Sequence, residues 1–206
     1  MELLPIFTAD ADGQQVANVK YLTGSPRQIR FDAKAGSFNI NGKEPLGNTL
    51  SFQPLAWEFF TADILGMGVK SWAELFFLDE KNRLCAILFH GNSVNALKQV
   101  SGPLFYDELT LADVVLTVTP EKKENTKITP KGVYYIADFS YVMADEKRTA
   151  DLAQFAASVN IYREETINDT RQGAFSHGYN VPQHIISRVF GLNGNGHVAE
   201  LPAATA

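Results

Sequence analysis

Two kinds of side chain in this sequence could hold a ligand: aromatics set two apart in strand-like runs, and lysines clustered in one polar segment. Trp72 and Phe76 alternate with Glu74, so on a strand all three share a face. Tyr134 falls in a second such run and would face outward with Asp138 and Ser140. Lys70 precedes the first run, and Lys122, Lys123, Lys127 and Lys131 fill residues 121–132. Flat π surfaces beside flexible cations are what sequence-tolerant binding of single-stranded nucleic acid needs: bases stack on rings at roughly 1–3 kcal/mol each, and ammonium groups follow the phosphates. A strand aromatic is more often core than platform, a lysine-rich loop is more often simply solvated, and Glu74, Glu121 and Glu124 oppose phosphate.

Other chemistry is poorly supplied. His90, His177, His184 and His197 form no H-x-x-x-H or H-E-x-x-H spacing. Ser176 and His177 are neighbours in sequence, which does not make a hydrolytic pair. There is no P-loop, no G-x-G-x-x-G and no G-x-S-x-G. Acids such as Asp79, Glu80, Asp107 and Glu108 read as solubilisers of strand ends. The single cysteine, Cys85, reads as a small buried hydrophobe, and it excludes an internal disulfide framework. A binding protein without catalytic residues, metal or cofactor is the expected class.

The elements that would position these residues centre on 71–90, SWAELFFLDEKNRLCAILFH. This reads as a β-hairpin turning at Glu80-Lys81-Asn82-Arg83, with Ala73, Leu75 and Phe77 inward and Trp72, Glu74 and Phe76 toward solvent. Before it, Ile29 and Phe31 mark a short strand, residues 37–41 a second, and Asn41-Gly42 is the strongest turn signal. Residues 48–60 read as a long strand, bent or bulged where Pro54 cannot donate, and 61–70 as a flexible loop. After the hairpin, Asn92-Ser93 caps a short helix ending near Gly102-Pro103. Strands follow at 113–120 and 133–143, joined by the lysine loop 121–132. An amphipathic helix over 145–159 carries Leu152, Phe155, Ala156 and Val159, and a last helix carries Ile185, Ile186, Val189 and Phe190 up to Gly191.

The resulting plan is mainly β with minor α. An N-terminal arm (1–47) precedes a five-stranded Greek-key barrel of OB type (48–143), a helical extension (144–190) and a disordered tail (191–206). In the OB-fold the face of strands two and three, with two flanking loops, binds oligonucleotides or oligosaccharides. Through WAELFFLDEKNRLCAILFHGNSVNAL and GVYYIADFSYV the chain resembles phage- or mobile-element-type single-stranded DNA-binding proteins. That resemblance implies ssDNA as partner, a role in replication or recombination beside other such proteins, and possible homo-oligomers. It stops at the tail, where Glu200 is the only acid after Gly191. A structural adaptor and a carbohydrate-binding or hydrolytic barrel are the competing classes. The net charge of −5 excludes a uniformly basic coat but not a locally basic groove. MELLPIFTADADG lacks a basic n-region and a long apolar run, so a cytoplasmic protein is expected.

Overall fold

Strand-forming residues dominate 48–90 so heavily that both faces of the central strands are apolar, and the fold is what covers both. The computed structural model describes residues 3–64, 66–125 and 132–191. In chain order the strands before the first helix are β1 (Phe7–Ala9), β2 (Gln15–Ala17), β3 (Arg27–Asp32), β4 (Ser37–Ile40), β5 (Glu44–Gly47), β6 (Leu50–Phe52), β7 (Pro54–Asp63), β8 (Val69–Leu78) and β9 (Leu84–His90). Then come α1 (Asn92–Tyr106), β10 (Val114–Asn125), β11 (Gly132–Met143), α2 (Glu146–Ser158), β12 (Gln172–His177) and α3 (Gln183–Phe190). The protein is mainly β.

A seven-stranded sheet has the order β12-β7-β8-β9-β3-β4-β5, and a three-stranded sheet the order β11-β10-β6. The two sheets are linked where the chain passes from β6 to β7, and the register against β8 shifts between Pro54 and Ala56, as the proline's missing donor predicts. The hairpin β8–β9 turns at Asn82, which takes φ 50°. Asp79 accepts from the Lys81 and Arg83 amides and so closes that turn. Asn41 and Gly42 both take positive φ between β4 and β5.

The expected closed barrel does not form. The edge of β9 that would meet β11 is taken by β3, which pairs with it in parallel from Arg27 opposite Cys85 to Ile29 opposite Ile87. The sheets therefore stay open, and β11 remains an edge. Three boundaries also move. Much of the expected loop 61–70 is strand, since β7 runs to Asp63 and β8 starts at Val69. The first five residues of the expected lysine loop prolong β10. Helix α1 continues over Pro103 because Leu104, 1% exposed, anchors its last turn in the core. The C-terminal extension is not purely helical, because β12 docks on the edge of β7. Of the expected tail, all but Gly191 lies outside the described residues.

Each face of the large sheet has its own core. Leu75, Phe77, Cys85 and Ile87 pack with α1 and the small sheet through Val94, Leu97, Leu116 and Val118. On the other face Phe76, Leu78, Leu84 and Ala86 meet Ile6 of the N-terminal arm and Leu152 and Phe155 of α2. Asp145 caps α2, accepting from the Arg148 amide.

Candidate nucleic-acid interface

The hairpin face expected to see solvent is sealed. Trp72 is 3% exposed, and Phe76 and Glu74 are fully buried. Trp72 donates its indole N–H to the Ala62 carbonyl at 2.9 Å and packs with Phe60 and Ile64. Phe76 lies under α2 and 6.0 Å from the Tyr179 ring. Neither ring offers a face to a base, so Trp72 and Phe76 are core residues and not the expected stacking platform. The cause is visible in the strand itself: WAELFFL is apolar at both parities, the signature of a strand covered twice.

Of the remaining expected residues, Tyr134, Lys122 and Lys123 lie on the β10–β11 hairpin and Lys70 near the start of β8. Lys127 and Lys131 lie outside the described residues. Along the β10–β11 hairpin, Lys123 stands opposite Tyr134 and Lys122 opposite Tyr135. Lys123 also pairs with Glu121 at 2.5 Å, an exposed contact that dilutes its charge. Tyr134 and Tyr135 line a cavity of about 180 Å³ together with Phe31, His90, Gly91 and Ser93. Three contacts build it. The Tyr135 amide donates to the Ala33 carbonyl at 2.8 Å, drawing β11 to the β3–β4 turn. The Tyr135 ring lies over Gly36, where a Cβ would come within 2.9 Å of it. Ser93 accepts from the Ala137 amide at 2.9 Å, fastening the first turn of α1 to β11.

Helix α1 has no side-chain cap. Gly91, at φ 60°, is its N-cap residue, and the first turn holds no acid. The unpaired amides of a helix start carry partial positive charge and favour anions. His90 sits beside them, its ring 5.0 Å from that of Trp72, so the buried Trp72 supports the site from below instead of forming it. Burial, with Lys70 close by, holds the His90 pKa below its ordinary value, so the imidazole is neutral at pH 7. Lys70 therefore lies close to this surface, and Lys34 follows the cavity-lining Ala33 in the β3–β4 turn. In the sequence His90, closing a strand beside Gly91, marks a place for a pocket but reads first as a structural histidine, and Tyr135 and Phe31 are not among the expected site residues. The adjacent tyrosines at 134–135 carry a second local signal, since one of two neighbours on a strand must face each way.

Two other features are structural in character. Glu58 and Glu74 stand directly opposite each other on β7 and β8, an unfavourable pairing alone. Arg171 binds Glu58, stacks 3.5 Å above the Phe60 ring and lies 4.0 Å from Glu74. Arg163 lies 3.6 Å from Glu74, and Thr166 donates to it at 2.8 Å. Burial outweighs these partners and pushes the Glu74 pKa up to about 7. The cluster pins the segment that leads into β12. A larger cleft, about 700 Å³, has an apolar floor of Ile29, Phe52 and Phe77. Three of its charges pair together, with Asp79 bridging Arg27 at 3.2 Å and Arg83 at 2.7 Å. Cys85 in its wall has its thiol pushed up to about 12, chiefly by burial, so it stays protonated near neutral pH.

Among the described residues no group of three or more His, Cys, Asp or Glu side chains could hold a metal ion. No helix among them is long and apolar enough to cross a membrane. No protein family matches the chain, and neither does any curated protein or solved structure.

Proposed function

We propose that this protein binds single-stranded nucleic acid, ssDNA foremost, without strong sequence preference. The observation that carries the reading is the tyrosine-lined cavity facing the uncapped start of α1. A base stacks on Tyr134, a neighbouring phosphate meets the free amides of α1, and Lys70, Lys34, Lys122 and Lys123 attract the backbone. Nothing in that set reads base edges by paired donors and acceptors, so tolerance of sequence follows. The order of elements from β7 through β8, β9, α1, β10 and β11, with β6 paired to β10, supports an open variant of the OB plan, and this is fold-level analogy. Such a protein serves replication or recombination of a phage or mobile element, in the cytoplasm.

The test is a salt series with labelled oligo-dT, comparing the wild type with a variant in which Lys70, Lys122 and Lys123 are changed to Gln. Each lysine that displaces a counterion contributes about 0.7 to the slope of log affinity against log salt, so the slope should shrink by roughly 2. An unchanged slope would place the groove elsewhere. No binding even at low salt would leave the adaptor or sugar-binding classes.

A further inference from the structure

Among the described residues the open sheets leave strand edges, and all of the terminal strands but one are blunted. β5 is four residues long, contains Pro45 and is bulged against β4. β12 has a register shift between Gly173 and Phe175. β6, β1 and β2 are three residues each. β11 is twelve residues long, and its run GVYYIADFSYVM holds no proline, no lysine and one charge, Asp138. Proteins that remain monomeric protect such an edge.

The free part of that edge can be located residue by residue. The Tyr135 and Ala137 amides point away from β10, toward Ala33 and Ser93. On a strand the same direction recurs at every second residue. Phe139, Tyr141 and Met143 therefore also turn their N–H and C=O groups away from β10, and no strand of the described residues lies beside them. Their surroundings are apolar and open: Tyr141 is 38% exposed, Val142 65% and Met143 59%. Helix α1 packs along β11 and ends at Phe105 and Tyr106, 76% and 85% exposed, a few residues before the Val114–Met143 pair.

We infer that residues 139–143 of β11 pair with the same residues of a second copy of this chain, antiparallel about a twofold axis at Tyr141. This register uses the three free residues and no others: Tyr141 meets Tyr141 and Phe139 meets Met143, each pair exchanging two backbone hydrogen bonds. It also meets the charge requirement. Asp138 falls opposite Ala144, so the two Asp138 carboxylates stand about 20 Å apart along the ribbon, and no like charges face each other. A second copy fits better than an unrelated strand because the patch is self-complementary, as a twofold interface must be. The inference rests on the edge alone and is independent of nucleic-acid binding.

Sedimentation of the full chain over a micromolar concentration series, without nucleic acid, reads the association. The wild type should dimerise, and Val142→Lys with Met143→Lys should weaken the dimer at least about tenfold, since charge on an edge opposes strand addition. Val69→Lys, on an exposed residue of β8, should leave it unchanged. A second readout does not depend on tolerance of lysine. In the inferred register the two Tyr141 Cα atoms lie about 5.5 Å apart, within disulfide range, so Tyr141→Cys should cross-link two copies under mild oxidation. The buried Cys85 does not compete. A monomer at every concentration overturns the inference, and so does a dimer indifferent to both lysines and not cross-linked through residue 141.

Discussion

Trp72 and Tyr134 show how one sequence signal, an aromatic in a strand, divides into two roles. Trp72→Ala removes a buried indole and its bond to Ala62, so it should cost about 3–5 kcal/mol of stability, measured by denaturant unfolding. A loss below about 1 kcal/mol would mean that Trp72 is not the packed support described. Glu74 makes a different kind of claim. Its pKa rises from 4.5 when unfolded to about 7 when folded. Between those values the folded chain keeps a proton that the unfolded chain has lost. Its contribution to stability is thus complete below about pH 4.5 and disappears as pH climbs through about 7. Glu74→Gln should remove that dependence, so the wild-type advantage over the variant should shrink from pH 5 to pH 8 in urea melts. Parallel curves would contradict the assignment. The sequence showed Glu74 between aromatics but not its partners, because Arg163 and Arg171 lie some ninety residues away in the chain.

At the scale of elements, what was legible was local. The turn at Asn82, the bend at Pro54, the Asn41-Gly42 hairpin and the stripe of α2 each follow from a few neighbouring residues. What was illegible was non-local. Nothing in 27–32 announces a parallel pairing with β9, yet that pairing opens the barrel expected from element order. Nor does Gln172–His177, exposed throughout, carry an alternation that would mark β12 as a strand. The second core, under α2, is the element-scale consequence. Phe155→Ala should cost about 3–5 kcal/mol and Leu152→Ala about 2–5, by denaturant midpoint. Removing residues 145–206 uncovers Phe76, Leu84 and Glu74 together. That truncated chain should fail to fold or should associate, as light scattering would report. A stable monomer would contradict the packing.

For the molecule as a whole, the position of charge matters more than its sum. A net charge of −5 does not oppose the proposed phosphate contact, since the first turn of α1 holds no acid, Lys70 lies near His90, and Lys122 and Lys123 stand opposite the two tyrosines. The buried Glu58–Arg171 and Glu74–Arg163 contacts hold the C-terminal segment in place. The site lies at the foot of the β10–β11 hairpin, and the free edge of β11 lies seven residues further on, from Tyr134 to Tyr141. Two paired copies would therefore hold their Tyr134 rings about 46 Å apart on one continuous ribbon. Binding of a long strand should then be cooperative, and binding of a short one should not. The most direct measurement is a fluorescence-anisotropy titration of short labelled oligo-dT and oligo-dA with the wild type and Tyr134→Ala, both shown folded by circular dichroism. Tyr134→Ala should weaken both oligonucleotides alike, by about 1–3 kcal/mol, because stacking is lost and base readout is not involved. Wild-type affinity in the Tyr134→Ala variant would contradict it.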